Sequence, residues 1–418
     1  MPRMIAQGVE RADHAARVPA MRQQAQDRGS TTVIPRRILP AIAASQFAGT
    51  SLWFATNAVM ADLRVAADLA DAAVGWLTAA VQVGFITGTF VFALLSIADR
   101  FSPRLVFLFC SLAGAVLAAA TAVLPPQQGP LLVLRFATGF MLAGIYPVGM
   151  KIAAGWFAHG LGWALGVLVG ALVLGTAAPF ALRALGAAWD WRTVLFAVAA
   201  VAASGGVLMA LAVPDGPHLA PAARITPRAL AIIWTDRQVR ASAFGYFGHM
   251  WELYALLVLV PTIVATRYAE AVAMSWWTFA AIAMGGVACV AGGLFVRRAG
   301  GARVAAVMLA GSGLCGLAAP WMLDAPLAVW AVWLLLWGAT VAGDSPQFSA
   351  LTAQLAPRAM VGSVLTFVNA IGFSISVGTI TLFAALAAAW PLAYVLPWLA
   401  LGPAVGLVFL WPLVRVGR

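Results

Sequence analysis

Twelve long apolar runs constrain this chain more than any other feature. Each is close to the roughly 20 residues that an α-helix needs to cross the hydrocarbon core of a bilayer. The runs lie near residues 38–60, 74–98, 105–124, 131–155, 163–183 and 192–213, and then near 239–264, 275–296, 304–323, 327–350, 359–385 and 393–414. A spanning segment must satisfy its own backbone hydrogen bonds, and these runs lack the alternation of barrel strands. The expected fold class is therefore an all-α membrane protein with twelve transmembrane helices.

Composition agrees with a chain that lies mostly inside a membrane. Of the 418 residues, 63% are hydrophobic and only 9% are charged, whereas about a quarter are charged in soluble domains. The net charge of +11 is spread over short segments between the apolar runs. It therefore does not indicate a nucleic-acid-binding patch. The three cysteines, Cys110, Cys289 and Cys315, lie inside apolar runs and are expected to behave as small hydrophobic residues.

The basic residues predict how the spans are oriented. If the N-terminal tail and every second loop lie on one side, that side collects most of the arginines outside the spans. The opposite side receives only Arg64, Arg183, Arg192 and Arg267. The positive-inside rule then places both termini in the cytoplasm. We expect a multi-pass protein of the bacterial inner, or cytoplasmic, membrane.

The spans divide into two halves of six that repeat each other. We expect a disordered cytoplasmic tail over residues 1–36, a first half over 37–213, a central cytoplasmic loop over 214–238 and a second half over 239–418. Four residues recur in register in the fourth and tenth spans, namely Gly139, Ala143, Gly144 and Pro147 against Gly338, Ala342, Gly343 and Pro346. Transporters built from such parallel repeats bind their solutes near the membrane midplane, between the halves.

The loop after the second span resembles the signature of the major facilitator superfamily of secondary transporters. It reads Leu95-Ser-Ile-Ala-Asp99-Arg100-Phe-Ser-Pro-Arg104, which is similar to Gly-x-x-x-Asp-Arg-x-Gly-Arg but departs from it at Leu95, Ser102 and Pro103. The resemblance implies a cytoplasmic gate formed by Asp99, Arg100 and Arg104. In it, Asp99 braces the N-terminal end of a helix in the other half, where the helix dipole favours a carboxylate. Alternatively, the two arginines serve only to orient the spans.

The fourth span carries a second element that is similar to the same family, Arg135 followed by Gly139. An arginine within a span costs about 2.5–3.5 kcal/mol on insertion scales, so it usually faces the bundle interior and has a partner. The resemblance implies a role for Arg135 in the substrate or proton pathway. Its position near the outer end of the span leaves the alternative that its side chain extends to the membrane surface.

The seventh and tenth spans hold the most informative residues. His249 and Glu252 share one face of the seventh helix, and the tenth span adds Asp344. An acid midway through a span is costly unless it is protonated, paired or hydrated. We therefore predict that all three residues lie on the substrate and proton pathway. The structural alternatives are a bond between Glu252 and His249, and stabilisation of a helix kink beside Pro346 by Asp344.

The expected function is secondary active transport of a small organic solute, coupled to protons and operating by alternating access. A drug or metabolite efflux antiporter is the first alternative, although the fifth span lacks the Gly-Pro-x-x-Gly-Gly run that marks many such exporters. A membrane sensor or assembly factor that transports nothing is the second, and the buried acids argue against it. The sequence has no catalytic, nucleotide-binding or metal-binding pattern, so we expect no enzyme activity, cofactor or metal. The expected partners are the solute, protons and the lipid bilayer, without nucleic acid, and we expect a monomer.

Overall fold

The computed structural model describes residues 34–157, 161–219 and 226–416. These residues are mostly helical, and no strand occurs among them. The chain divides into a short unit, Met1–Ile38, and a large unit, Leu39–Arg418, which contains the helical bundle. Most of the predicted N-terminal tail, residues 1–33, lies outside the described residues.

Within the described residues, the bundle contains twelve spans, α1 to α12. The first half comprises α1 (Ile38–Thr50, Ala55–Ala58 and Met60–Ala67), α2 (Ala73–Leu94), α3 (Pro103–Val123), α4 (Gln128–Leu142 and Tyr146–Trp156), α5 (Leu161–Leu185) and α6 (Trp191–Ala212). The second half comprises α7 (Arg237–Ala265), α8 (Ala271–Ala299), α9 (Gly301–Met322), α10 (Leu327–Gly343 and Ser345–Leu355), α11 (Val361–Ala389) and α12 (Leu392–Val395, a 3-10 turn Leu396–Ala400 and Leu401–Arg415). Within the described ranges, eleven helices are long and apolar enough to cross a membrane, and Ile38–Thr50 is a shorter apolar helix. The predicted fold class is confirmed.

The first span is longer and more broken than the sequence predicts. The apolar pattern ends near residue 60, but α1 continues to Ala67 and ends at Asp68, which has a left-handed φ of 49°. The last segment keeps its charged residues because each has a partner. Arg183 of α5 donates to Asp62 over 3.0 Å, and Arg64 pairs with Asp71.

The internal repeat appears in the backbone as well as in the sequence. The spans α4 and α10 are both interrupted, after Leu142 and after Gly343, and a proline stands in the first turn of each second segment. Proline lacks the N–H that would continue the hydrogen-bond ladder. Gly139 lies directly on the backbone of α2 and Gly338 on that of α8, where any side chain would overlap a carbonyl group.

The two halves meet along two pairs of helices. The first pair is α2 with α11, where Phe85 and Phe373 have ring centroids 4.6 Å apart and Phe90 and Phe367 lie 6.2 Å apart. In the second pair, Gly170 of α5 lies against Gly286 of α8. Gly166 also faces the backbone of α8. These glycines therefore form part of a packing seam between the halves.

The bundle has two chemically different ends. One end, here named the basic face, carries a set of arginines at helix ends and in loops: Arg100, Arg104, Arg303, Arg358 and Arg415. The predicted central loop at this face contains a short helix, Arg228–Thr235, before α7 begins at Arg237. The other end, named the opposite face, carries the junctions between α1 and α2 and between α7 and α8.

Candidate transport site

The span α7 presents the candidate proton-binding residues. It is the most completely buried of the described spans. His249 and Glu252 lie on one face, as their spacing predicts, and each residue is only 1% exposed. Neither side chain faces lipid, so any charge on them must be stabilised by other residues of the bundle.

His249 meets Asp344 across the contact between α7 and α10. The Nδ1 atom of His249 lies 2.7 Å from Oδ1 of Asp344, and both side chains are 1% exposed. The distance is that of an ion pair, but neither side chain has a well-aligned hydrogen-bond partner. Asp344 lies between the two segments of α10, yet its side chain does not cap the second segment. Its contact is therefore with the histidine of α7.

Glu252 has a different partner. The indole Nε1–H of Trp337, in α10, donates to its Oε1 over 2.7 Å. Ser312 of α9 reaches the same carboxyl without an aligned hydrogen bond. A direct bond between Glu252 and His249 was one reading of the sequence, but each of the two has a partner on another helix. The three predicted residues thus form one buried cluster on α7 and α10.

This cluster is suited to taking up and releasing protons. Removing a carboxylate from water costs several kcal/mol unless it is paired and hydrogen-bonded. Asp344 has one cationic partner, available only when His249 is protonated, and Glu252 has one neutral donor. Small changes in the α7–α10 contact therefore change the free energy of the charged forms.

Arg135 does not extend to the membrane surface. It is 2% exposed, and its Nη1 and Nη2 donate to the carbonyl oxygens of Leu52 and Trp53 over 3.2 and 2.5 Å. Those carbonyls lie in the interruption of α1, where the helical ladder does not use them. Arg135 thus stabilises the broken segment of α1 through its two terminal nitrogens, while its Nε is buried without a hydrogen-bond partner.

A cluster of aromatic rings lies where the halves meet. Trp53 stacks on Tyr254 with centroids 5.7 Å apart and an interplanar angle of 19°. Phe373 contacts both of these rings and also Phe85, and Phe85 contacts Tyr146. The rings come from α1, α2, α4, α7 and α11. They fill the junction of the halves with side chains from both.

A cavity of about 430 Å³ lies between the halves near the opposite face. Its walls come from α1, α2, α5, α7, α8 and α11 and are mostly apolar. Asn57 of α1 and Val258 of α7 line it, about one turn along from Trp53 and Tyr254. The aromatic cluster therefore lies on the side of the cavity that leads to the basic face.

The three predicted gate residues all lie at the basic face. Asp99 pairs with Lys151, at the end of α4, and Lys151 also donates to the carbonyl of Ala98 over 2.8 Å. Arg104 lies 3.9 Å from Asp215, and Arg100 is exposed. The family resemblance implies that Asp99 braces a helix of the second half, but its partner here is a lysine of its own half.

No group of three or more His, Cys, Asp or Glu residues that could hold a metal ion occurs in the described ranges. The three cysteines are buried and unpaired with one another. The candidate site itself contains two carboxyl groups, an imidazole and an indole N–H.

The sequence model of the Major Facilitator Superfamily matches residues 39–381 of the chain. The chain belongs to this superfamily. It is therefore a multi-pass membrane transporter, as its helices and repeat predict. No curated protein sequence matches the chain.

Two solved structures are similar to this facilitator. The human organic anion transporter MFSD10 (TETRAN) is 14% identical, with a TM-score of 0.68 that covers 90% of this chain and 99% of that one. The proton:xylose symporter XylE, bound to 6-bromo-6-deoxy-D-glucose, is 13% identical, with a TM-score of 0.68 that covers 90% of this chain and 96% of that one. Sequence identities this low establish the fold of this chain only. They do not identify the solute that it transports, which has to be inferred from the residues of this chain.

Sequence reasoning missed two parts of the facilitator's site. Trp337 is one of 17 tryptophans, and nothing in its neighbours along the chain marks it as the donor to Glu252. The aromatic cluster was also missed, because its five rings come from five spans. The Trp53 ring lies in the interruption of α1. In the sequence, a tryptophan close to the polar residues Ser51 and Thr56 within an apolar run was the signal that could have indicated a ring facing the bundle interior.

Proposed function

We propose that the protein is a proton-coupled secondary transporter that moves a small organic solute by alternating access. The proposal places it in the bacterial inner membrane as a monomer, with both termini in the cytoplasm. Its partners are the solute, protons and the bilayer. Membership of the facilitator family supports transport in general. The proposals of proton coupling and of a small organic solute depend on the side chains of this chain.

The contact between His249 and Asp344 carries the proposal of proton coupling. Structural acids inside membrane proteins are rare because burial is costly, and intramembrane acids commonly mark ion pathways. Here two acids and a histidine occur together on α7 and α10, each residue at most 1% exposed. A membrane sensor or assembly factor that transports nothing would gain no function from costly buried acids beside a histidine.

The contact also suggests how a proton could change the conformation. When Asp344 is ionised and His249 protonated, their attraction holds α7 to the interruption of α10. Protonation of Asp344 removes this attraction, and the two helices can shift. Tyr254 on α7 stacks on Trp53 of the first half, so a shift of α7 reaches the junction of the halves. Arg135 belongs to this pathway as the residue that holds the Trp53 segment in place.

Drug or metabolite efflux by proton antiport remains a second candidate. The observation that favours it is the apolar lining of the cavity, which suits apolar compounds. Both candidates require the same proton-binding cluster. Proton antiport would export the solute, whereas proton symport, the direction we favour, would import it. Accumulation in right-side-out and inside-out vesicles distinguishes import from export.

Proton binding can be tested without knowing the solute. Dicyclohexylcarbodiimide reacts with protonated carboxyl groups in apolar surroundings, so mass spectrometry should detect labelling at Glu252 or Asp344. The labelling should be strong at low pH and fall as pH rises and the groups ionise. The exposed Glu270 is an internal control and should remain unlabelled. Labelling that is absent, or independent of pH from 5 to 9, would contradict a proton-binding role.

The transport consequence follows from the same residues. Glu252→Gln keeps the size of the side chain and can still accept from Trp337, but it cannot bind a proton. We expect this variant to lose uphill solute accumulation by at least tenfold while retaining exchange of solute down its gradient. Uphill accumulation at the wild-type level, measured at matched expression, would show that Glu252 is structural.

We propose further that Asp99, Arg100 and Arg104 form part of the gate at the basic face. The pair of Asp99 with Lys151 and the contact of Arg104 with Asp215 support this, since both link loop residues to other spans of the first half. Asp99→Asn should insert and fold normally but lower the transport rate several-fold, because the ion pair with Lys151 is lost. An unchanged rate at equal protein levels would rule out a role of Asp99 in gating.

A further inference from the structure

A groove lies between the ends of α7 and α12 at the basic face, and it shares no lining residue with the cavity between the halves. Its volume is about 430 Å³. The start of α7 forms one wall and the end of α12 forms the other. The two helices also meet through Phe244 and Phe409, whose stacked rings have centroids 4.4 Å apart. This α7–α12 groove is lined by Arg237, Gln238, Ala241, Trp411, Pro412, Leu413, Arg415 and Val416.

The groove contains two cationic side chains without an anionic partner. Arg237 and Arg415 are exposed, and neither has a carboxylate within ion-pair distance among the described residues. Asp236 precedes Arg237 in the chain, but its Oδ1 accepts hydrogen bonds from the backbone N–H groups of Gln238 and Val239 and so caps α7. The planar guanidinium group matches the oxygens of a phosphate. The two arginines therefore suit a phosphate-bearing ligand.

Trp411 gives the groove an aromatic wall. Its side chain is 51% exposed, and Cζ of Arg415 lies 5.5 Å from the centroid of its ring. This distance allows a cation–π interaction, so the ring helps to hold the guanidinium group at the groove. Tryptophan is enriched where membrane proteins meet the lipid headgroups. Trp411 therefore indicates that the groove lies at the level of the headgroups.

A lipid-facing stripe of α12 leads away from the groove. Leu401, Val405 and Val408 are 48%, 43% and 73% exposed, and their spacing puts them on one face of the helix. Pro412, which lines the groove, lies one turn after Val408 on the same face. In a bilayer such a face contacts acyl chains. A ligand with a phosphate in the groove and an apolar tail along α12 would therefore contact both surfaces.

We propose that the α7–α12 groove binds the headgroup of an anionic phospholipid from the leaflet at the basic face. The phosphate pairs with Arg237 and Arg415, and the acyl chains lie along the stripe of α12. Each arginine near the membrane surface adds to the attraction for an anionic lipid. A zwitterionic lipid would bring an ammonium group towards the same two cations, which repel it. The assignment depends neither on the transported solute nor on proton coupling.

A lipid bound in this groove would link the end of α12 to the start of α7, the helix that carries His249 and Glu252. A ligand that binds only the folded state raises the free energy of unfolding. We therefore expect phosphatidylglycerol, added to the purified protein in a mild detergent, to raise the unfolding temperature in a saturable manner. Native mass spectrometry should show the lipid retained on the protein. Phosphatidylcholine with the same acyl chains should bind about tenfold less tightly.

Two pairs of arginine substitutions separate this site from the general charge of the basic face. Arg237→Gln combined with Arg415→Gln should raise the half-saturating concentration of phosphatidylglycerol about tenfold. Arg303→Gln combined with Arg358→Gln removes the same charge from exposed positions of the basic face outside the groove lining, and it should leave that concentration unchanged. Both double variants should unfold at the wild-type temperature without lipid, because all four side chains are exposed.

Inorganic phosphate and glycerol 3-phosphate test whether the groove takes a soluble anion instead of a lipid. Neither should displace phosphatidylglycerol at concentrations at which the lipid saturates the site, because neither contacts the apolar stripe of α12. Displacement by either one at such concentrations would assign the groove to a soluble phosphate and overturn the proposal. Equal retention of phosphatidylcholine by the wild type, or equal effects of the two double variants, would also overturn it.

Discussion

At the scale of single residues, the polar groups inside this bundle differ in whether they have partners. Trp337 donates to Glu252, whereas Trp330, on the same helix and equally buried, has an indole N–H without a partner. A hydrogen bond to a charged group contributes about 1.5–3 kcal/mol, while a buried donor without a partner is a net cost. The two tryptophans therefore make a matched pair for testing what the contact with Glu252 contributes.

Trp337→Phe should destabilise the protein by about 1–3 kcal/mol, because Oε1 of Glu252 loses its donor. The difference from the wild type should widen as pH rises, since an ionised carboxylate is the stronger acceptor. Trp330→Phe removes the same ring volume from a fully buried site without removing a hydrogen bond, so it should cost less than Trp337→Phe. Thermal unfolding of the purified protein across pH measures both effects. Equal losses of stability in the two variants would mean that the loss comes from ring packing, without a contribution from the hydrogen bond.

At the scale of helices, close backbone contact governs how the halves meet. A Cβ atom on Gly286 of α8 would lie 2.7 Å from Cγ of Leu174 and 2.8 Å from the carbonyl oxygen of Gly170, both on α5. These distances are shorter than van der Waals contact, so the two helices would have to move apart. Small residues are the usual means by which membrane helices approach so closely.

Gly286→Ala should therefore cost about 1–3 kcal/mol by overpacking, and it should slow transport by changing the contact between the halves. Gly378→Ala on α11 is the control, because nothing lies within 4 Å of the position that its methyl group would take, and the change only improves helix propensity. Unfolding temperature and solute flux are the measurements. A Gly286 variant as stable as the Gly378 variant would show that α5 and α8 separate easily.

At the scale of the whole molecule, the basic face and the opposite face allow the orientation of the bundle in the membrane to be tested. In a chain with Cys110, Cys289 and Cys315 replaced by alanine, cysteines at His218 and Gly301 should react with membrane-impermeant thiol reagents only from the cytoplasm. A cysteine at Gln127, at the opposite face, should react only from outside. If the cysteines at positions 218 and 127 reacted from the same side of the membrane, the predicted topology would be contradicted.

The structure guides the choice of these positions. Gly216 lies in the same loop as His218, but it packs on the backbone of Gly155 with no space for a side chain. A cysteine there would disturb the loop that it is meant to report on. His218 is exposed, and a Cβ on Gly301 would make only ordinary contacts of 3.5 Å with Leu351.

The sequence by itself determined the fold class, the number of spans and the internal repeat of this protein. These follow from local properties, because a lipid environment requires long apolar helices, and a proline after Gly144 or Gly343 interrupts a helix wherever it packs. It also selected the acids of α7 and α10, since a charged group within an apolar run is unusual in its own right.

Only the tertiary structure decided which residues these groups meet. The partners of Glu252 and Arg135 lie on other helices, and Arg135 binds backbone carbonyls that are available only because α1 is interrupted. The aromatic cluster assembles one ring from each of five spans. Such contacts depend on how helices rotate and cross, which the order of apolar residues along each span does not specify, because every face of a buried helix is apolar.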